Sequence, residues 1–304
     1  MHVSFHEGYR VDLPATHPYP MGKYLLLRDL LAERGLIGPL RLVVPDEVPL
    51  DVLGRVHTPE YLAQLQGDTL DPAQRRRLGI PFTPRLWRRS RLTVEGTRLA
   101  ADAALADGLA ANMAGGTHHA FADHGEGFCV INDVAVALTD LFATQRIRRA
   151  LIVDLDVHQG NGSASIFAGD PQVYTLSLHG ERNYPLVKPP STHDVGLADG
   201  TDDAQYLSVL QPALAIALQH APDLAFYVAG VDVAAGDRYG RLALTDEGIR
   251  LRDRHVIDTL RDAGIPVAIV LGGGYAPTTL RTAQLHAIVF EEALRRWRHE
   301  RPEI

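Results

Sequence analysis

Cysteine is all but missing from this chain. Among 304 residues there is one, Cys129, which excludes an intrachain disulfide and fits a reducing compartment. The first residues, Met1-His-Val-Ser-Phe-His-Glu7, lack the apolar segment of a signal peptide, and no apolar run approaches the length of a membrane span. Positive charge is not in excess either. Thirty Lys and Arg stand against 37 Asp and Glu, a net charge of -7, so neither a nucleic acid nor an acidic membrane surface is an expected partner. Gly-x-Ser-x-Gly does not occur, which disfavours a serine hydrolase. Internal repeats, low-complexity tracts and interdomain linkers are also lacking. The expectation is a cytoplasmic protein whose residues 1–304 form one domain around a large core. Its oligomeric state is not legible.

What is present is a rhythm of apolar strand, polar tip and helix. Short strands are expected at 2–6 and 40–44. Helices are expected at 21–34, from Thr58 as N-cap with Pro59 at the first helical position, and at 92–109. Residues 67–90 hold Gly79, Pro81, Pro84 and several arginines, and they read as an exposed excursion. Arg75-Arg-Arg77 reads as a solvated face. Further strands are expected just before Gly115 and at 150–157, 173–178, 224–231 and 267–271, with helices at 133–142, 204–219, 245–263 and 278–298. Strands alternating with helices imply right-handed crossovers and a largely parallel sheet, whose ligand site lies beyond the carboxyl ends of the strands. The loop at 180–203 is expected to rim that site.

The chemistry-bearing residues cluster at those ends. Asp154, Asp156 and His158 close an apolar strand in alternation, which sets them on one face. Capping a helix needs one Asp, not Asp-x-Asp-x-His. Two carboxylates and an imidazole resist shared burial unless a cation lies between them. Asp156 and His158 supply two metal ligands, and Asp232, at a second strand tip, is the best third. Three protein ligands leave a catalytic zinc one open position. His118-His119 follow Gly115-Gly116. Paired imidazoles near a metal can serve as proton shuttle and electrostatic support, each with a partner fixing its tautomer, and Asp154 and Asn161 are at hand. In Gly272-Gly273-Gly274-Tyr275 the glycines let backbone approach a ligand, and the tyrosine hydroxyl can donate to a developing oxyanion. The same stretch fails as a phosphate loop and as a dinucleotide fingerprint. Cys129 is read as a small apolar wall residue rather than a nucleophile.

These motifs resemble the histone deacetylase family. Gly116-Thr-His-His-Ala120, Gly127-Phe-Cys-Val-Ile-Asn-Asp133, Asp154-Leu-Asp-Val-His158, Ala229-Gly-Val-Asp232 and Leu271-Gly-Gly-Gly-Tyr275 stand in the family's order over nearly the whole chain. Pro20-Met-Gly-Lys-Tyr24 and Asn161 look most like the class IV branch and its bacterial relatives. The resemblance implies a three-layer α/β/α fold of the arginase–deacetylase type and zinc held by Asp156, His158 and Asp232. It implies His119 as general base and then acid, His118 paired with Asp154 as electrostatic support, and Tyr275 polarising the amide carbonyl. Gly127, Phe128, Tyr184 and Gly273 are the implied substrate-binding residues, with Phe128 and Tyr184 walling a narrow tunnel. A structural potassium ion is implied near the carbonyls of Asp154, Asp156, His158 and Leu178 and the Ser177 hydroxyl. Three departures stand out. Asn161 replaces an Asp of several branches, Lys23 replaces an arginine lining an internal cavity, and Thr201-Asp-Asp203 departs from a glycine-containing pattern.

The leading expectation is therefore a zinc-dependent acyl-lysine deacylase acting on proteins or peptides, with iron(II) able to occupy the same ligands. Removal of long fatty acyl groups is a variant of this. The alternatives are a deacetylase of small acylated amines such as acetylpolyamines, for which Glu181 is the one loop acid to nominate, and a non-catalytic acyl-lysine-binding pseudoenzyme. A binuclear ureohydrolase needs bridging carboxylates that are not found.

Overall fold

The apolar runs become strands of one sheet. A computed structural model describes residues 1–38 and 40–301, and in it eight strands pair side by side, all parallel. They are β1 (His2–Ser4), β2 (Arg41–Val43), β3 (Leu109–Asn112), β4 (Ala150–Asp154), β5 (Val173–Gly180), β6 (His193–Leu197), β7 (Leu224–Val228) and β8 (Val267–Val270), in the order β2-β1-β3-β8-β7-β4-β5-β6. The helices are α1 (Lys23–Glu33), α2 (Leu50–Leu53), α3 (Pro59–Gly67), α4 (Pro72–Leu78), α5 (Pro84–Asp107), α6 (Asp133–Ala143), α7 (Asn161–Ile166), α8 (Asp203–Ala217), α9 (Asp246–Asp262) and α10 (Thr279–His299).

Alternation along the strands builds the three layers. On one face Ala110, Ala150, Ile152, Phe226 and Val270 pack with Ala104 of α5 and Val134, Leu138 and Leu141 of α6. On the other, Ala111, Leu151, Val153, Tyr227 and Ile269 pack with residues of α8, α9 and α10. Both faces are covered, so the central strands read as unbroken apolar runs. A shared strand direction brings the loops after β3, β4, β7 and β8 to one edge. No described helix is long and apolar enough to cross a membrane.

Three expectations need correction. Residues 67–90 are not an exposed excursion. Asp71 caps α4 through a capping box with Gln74, α5 starts at Pro84 behind the Thr83 cap rather than at 92, and Leu70, Leu78, Ile80 and Phe82 are buried. The loop at 180–203 contains β6, an edge strand whose mixed side chains hide its period. Finally, β4 stops at Asp154, so Asp156 and His158 sit in the bend beyond the strand rather than on one of its faces.

Candidate active site

The bend after β4 and the tip of β7 hold the candidate metal ligands. Oxygens of Asp156 and Asp232 and a ring nitrogen of His158 lie within 4.8 Å of one another. His158 Nδ1 is 3.0 Å from Asp156 Oδ1 and 3.2 Å from Asp232 Oδ2. Backbone amides aim the carboxylates: Gly273 N donates to Asp156 Oδ2 at 2.6 Å and Val157 N to Asp232 Oδ1 at 2.9 Å. Asp232 Oδ2 is buried and has no hydrogen-bond partner. Burial and the neighbouring Asp156 push the Asp232 carboxyl up to about 7 against the opposing pull of His158, so negative charge is crowded here. Two acids, one imidazole and an orphaned buried oxygen suit a divalent cation with nitrogen and oxygen ligands. Gly273 packs against these carboxylates and also borders the inner cavity of the site. A methyl group on it would stand 2.8 Å from Asp156 Oδ2 and closer still to Asp232 Oδ2.

The loop after β3 delivers the two histidines. Asp133, at the start of α6, accepts from Gly116 N at 3.1 Å, Thr117 N at 2.8 Å and Thr97 Oγ1 at 2.6 Å, which pins that loop. Both imidazoles are buried, with ring centroids 4.1 Å apart. His118 Nδ1 is 2.7 Å from Asp154 Oδ2, and its Nε2 is 3.8 Å from Asp156 Oδ1. Burial opposes a charge on His118, but Asp154 and Asp156 outweigh it and hold the ring up to about 9. His119 Nδ1 is 2.6 Å from Asn161 Oδ1. Burial first, then His118 and His158, keep His119 well below the ordinary imidazole value. The surroundings thus favour a proton on His118 and disfavour one on His119, the kind of separation that acid–base pairs use.

Above this floor is a cavity of about 290 Å³ lined by Arg77, Gly79, His119, Gly127, Phe128, His158, Tyr184, Tyr239 and Tyr275. Phe128 and Tyr184 are both among its walls. Gly127 and Phe128 are consecutive left-handed residues, at φ 55° and 70°. Phe128 keeps that uncommon conformation because its amide donates to Leu78 O at 2.8 Å, while Gly127 N donates to Arg77 O at 3.3 Å. Tyr184 stands edge-on to His119, with centroids 5.1 Å apart. Asp237 Oδ2 accepts from Tyr275 N at 2.6 Å, and burial keeps the Tyr275 hydroxyl protonated. A smaller cavity of about 30 Å³ adjoins it, bordered by His118, His119, Asp156, His158, Cys129 and Tyr275 among others. Cys129 is a buried wall residue whose thiol burial pushes up, away from nucleophilic use.

Several residues around the site carry no sequence signal. Tyr19, Gly79, Arg77, Tyr239, Asp237 and Glu126 belong to no motif, and only the fold brings them there. Arg76 and Arg77 are exposed, in keeping with a solvated face, and Arg77 also borders the tunnel, whereas Arg75 pairs with Asp68. Glu181 is exposed and does not line the tunnel. Lys23 is buried with Nζ 2.9 Å from Gly272 O and 3.1 Å from His286 Nε2, so it braces the glycine loop. Asp202 and Asp203 act at helix ends, capping α8 and binding Thr245 at the start of α9. Ser177 lies opposite Asp154 in the sheet, its hydroxyl 2.9 Å from His179 Nδ1.

Comparison with known proteins agrees with this geometry. Residues 17–289 match the family described as Histone deacetylase domain. An uncharacterized protein of Picosynechococcus sp. is 44% identical over 96% of each chain. Histone deacetylase 2 of Arabidopsis thaliana is 31% identical over 89% of this chain and 73% of its own length. Among solved structures, the HDA15 HD domain superposes with a TM-score of 0.79 at 26% identity, covering 96% of this chain and 87% of that one.

Proposed function

The chain belongs to the histone deacetylase family, and from that premise we propose that it is a zinc-dependent hydrolase removing short acyl groups from lysine side chains, with residues 1–304 acting as one catalytic domain. The observation that carries this reading is the placement of His119, its Nδ1 2.6 Å from Asn161 Oδ1, beside the Asp156/His158/Asp232 cluster and in the wall of an aromatic cavity that also holds Tyr275. Zinc, or iron(II) on the same donors, would supply Lewis acidity toward the amide carbonyl and acidify the attacking water.

The remaining work falls to the chain itself. Phe128 and Tyr184 flank the lysine methylenes and exclude water. His119 Nε2 takes a proton from the attacking water and returns it to the leaving amine, so the amide C–N bond breaks to a carboxylate and a free lysine. His118, held positive by Asp154, stabilises the negative charge that develops nearby. The Tyr275 hydroxyl donates to the carbonyl oxygen as it becomes an oxyanion. A structural potassium ion would be held by Ser177 and the carbonyls of Asp154, Asp156, His158 and Leu178; the pairing of Ser177 with Asp154 in the sheet supports this.

The cavity bordered by His119, Asp156, His158 and Tyr275 is narrow, which favours acetyl or similarly small groups over the fatty acyl chains that class IV resemblance suggests. Arg77 at the tunnel wall opposes a polycationic acetylpolyamine. Retention of both histidines, each with its own partner in Asp154 and Asn161, beside the three candidate ligands and Tyr275 argues against a non-catalytic binder.

A peptide series bearing acyl-lysines of increasing length, assayed with chelator and with zinc or iron(II) restored, tests the reading. The expected result is metal-dependent hydrolysis that falls as the chain lengthens. Full turnover in chelator would overturn it.

A further inference from the structure

Glu126 lies outside the recurring motifs, yet three side chains of the site converge on it. Its Oε1 accepts from Asn161 Nδ2 at 2.8 Å and from the Tyr184 hydroxyl, and Oε2 is 3.6 Å from His124 Nε2. Burial opposes its charge, but His124, Tyr184 and Asn161 prevail and hold the carboxyl at about 2, so it is ionised.

An ionised carboxylate only accepts hydrogen bonds. Asn161 must therefore turn its NH₂ toward Glu126, which leaves Oδ1 for His119. An amide oxygen also only accepts, so His119 Nδ1 at 2.6 Å carries the ring proton and Nε2 holds the lone pair. Asn161 is buried, so bulk water does not make this choice. Without Glu126 the choice is open, because the two ends of an asparagine amide are nearly the same size. With NH₂ facing His119, Nδ1 becomes the acceptor and the proton moves to Nε2, where none can then be taken from water. An aspartate at position 161 would need no such help, since both of its oxygens accept.

We propose that Glu126 is a positioning residue that sets the base-competent tautomer of His119 through Asn161 and, through Tyr184, ties that setting to the tunnel wall. The proposal rests on the reading of His119 as general base.

The test uses the full-length, zinc-loaded enzyme with ¹⁵N-labelled histidine. Long-range ¹H–¹⁵N correlation distinguishes the tautomers, and the His119 signals are identified by their loss in His119→Ala. In the unaltered protein His119 should be the Nδ1–H tautomer. Glu126→Ala should mix or invert the tautomer and lower kcat on an acetyl-lysine peptide about tenfold, the worth of one hydrogen bond to a charged group, with KM moving less than about threefold. Asn161→Asp alone sets two carboxylates against each other and should also impair turnover. The double variant Glu126→Ala/Asn161→Asp should recover both the Nδ1–H tautomer and most of kcat, an interaction that a merely structural role would not produce. Retention of Nδ1–H in Glu126→Ala, or a double variant no better than either single one, overturns the proposal. If the tautomers shift as described while even the unaltered protein hydrolyses no acyl-lysine peptide, the positioning stands and the deacylase reading falls.

Discussion

Replacing Gly273 by alanine adds one methyl group where the two buried carboxylates meet. The backbone accepts it, since Gly273 is not among the glycines with positive φ. The obstruction is confined to the ligand set: the new Cβ would lie 2.8 Å from Asp156 Oδ2 and nearer to Asp232 Oδ2. Restoring van der Waals distance requires a carboxylate to retreat by about 1 Å, whereas metal–ligand distances tolerate shifts of about 0.2 Å. We expect zinc affinity to fall about 100-fold, the upper range for disturbing the support of a ligand. At free zinc about 100 times the original Kd, zinc stabilises the unaltered protein by about 2.7 kcal/mol and the variant by about 0.4 kcal/mol. For a chain of 304 residues this corresponds to a zinc-induced rise in Tm of about 4 °C against less than about 1 °C. Competition with a chromophoric chelator reads the affinity, and thermal unfolding with and without zinc reads the linkage. Gly54→Ala, whose nearest contact would be 3.5 Å, serves as control and should keep the full shift. Zinc affinity in Gly273→Ala within about threefold of the original would refute the assignment of Asp156 and Asp232 as ligands.

Other expectations follow from the same geometry. His119→Ala and Tyr275→Phe should each lower kcat on an acetyl-lysine peptide by at least about 100-fold, as loss of a general base or an oxyanion donor does; full activity in both would end the proposed mechanism. Arg77→Glu should raise kcat/KM for an acetylpolyamine relative to an acetyl-lysine peptide, and an unchanged ratio would remove Arg77 from substrate selection. His57 is buried with Nδ1 3.3 Å from Ala122 O and Nε2 accepting from Asn132 N at 3.2 Å, and burial depresses it from 6.5 to about 4. Between those values the unfolded chain binds a proton that the fold refuses. Stability should therefore fall as pH drops from about 6.5 to about 4, by about 3 kcal/mol in all. Urea unfolding at both ends of that window should show the loss shrinking by a similar amount in His57→Gln.

The floor of the candidate site is legible in the sequence because each part of it hangs on a strong local signal. Asp156, His158 and Asp232 follow apolar runs, and His118-His119 and Gly272-Gly-Gly-Tyr275 follow two more. In a parallel sheet such tips share an edge, so strand recognition alone brings them together. Separate facts set the walls. Glu126 and Asp237 are single acids whose partners lie 35 to 58 residues away in sequence, as with Asn161, Tyr184 and Tyr275. The buried side of α4 depends on Leu78 packing under a tunnel that no periodicity in seven residues announces. Strand β6 escapes notice because an edge strand exposed on alternate residues, His193-Asp-Val-Gly-Leu197, has little apolar run to detect.

A protein of this build can change its clientele through the wall alone. Gly127 and Phe128 are hung, amide by amide, from the final carbonyls of a seven-residue helix that stands outside the sheet. That helix is the lintel of the doorway. Lengthening it by a turn, or turning it on its axis, would reshape the entrance while the machinery beneath stayed in register with the strands. Selectivity and chemistry are thus housed in parts that can be remodelled separately, and a graft of this lintel from one relative to another is a direct route to a new specificity.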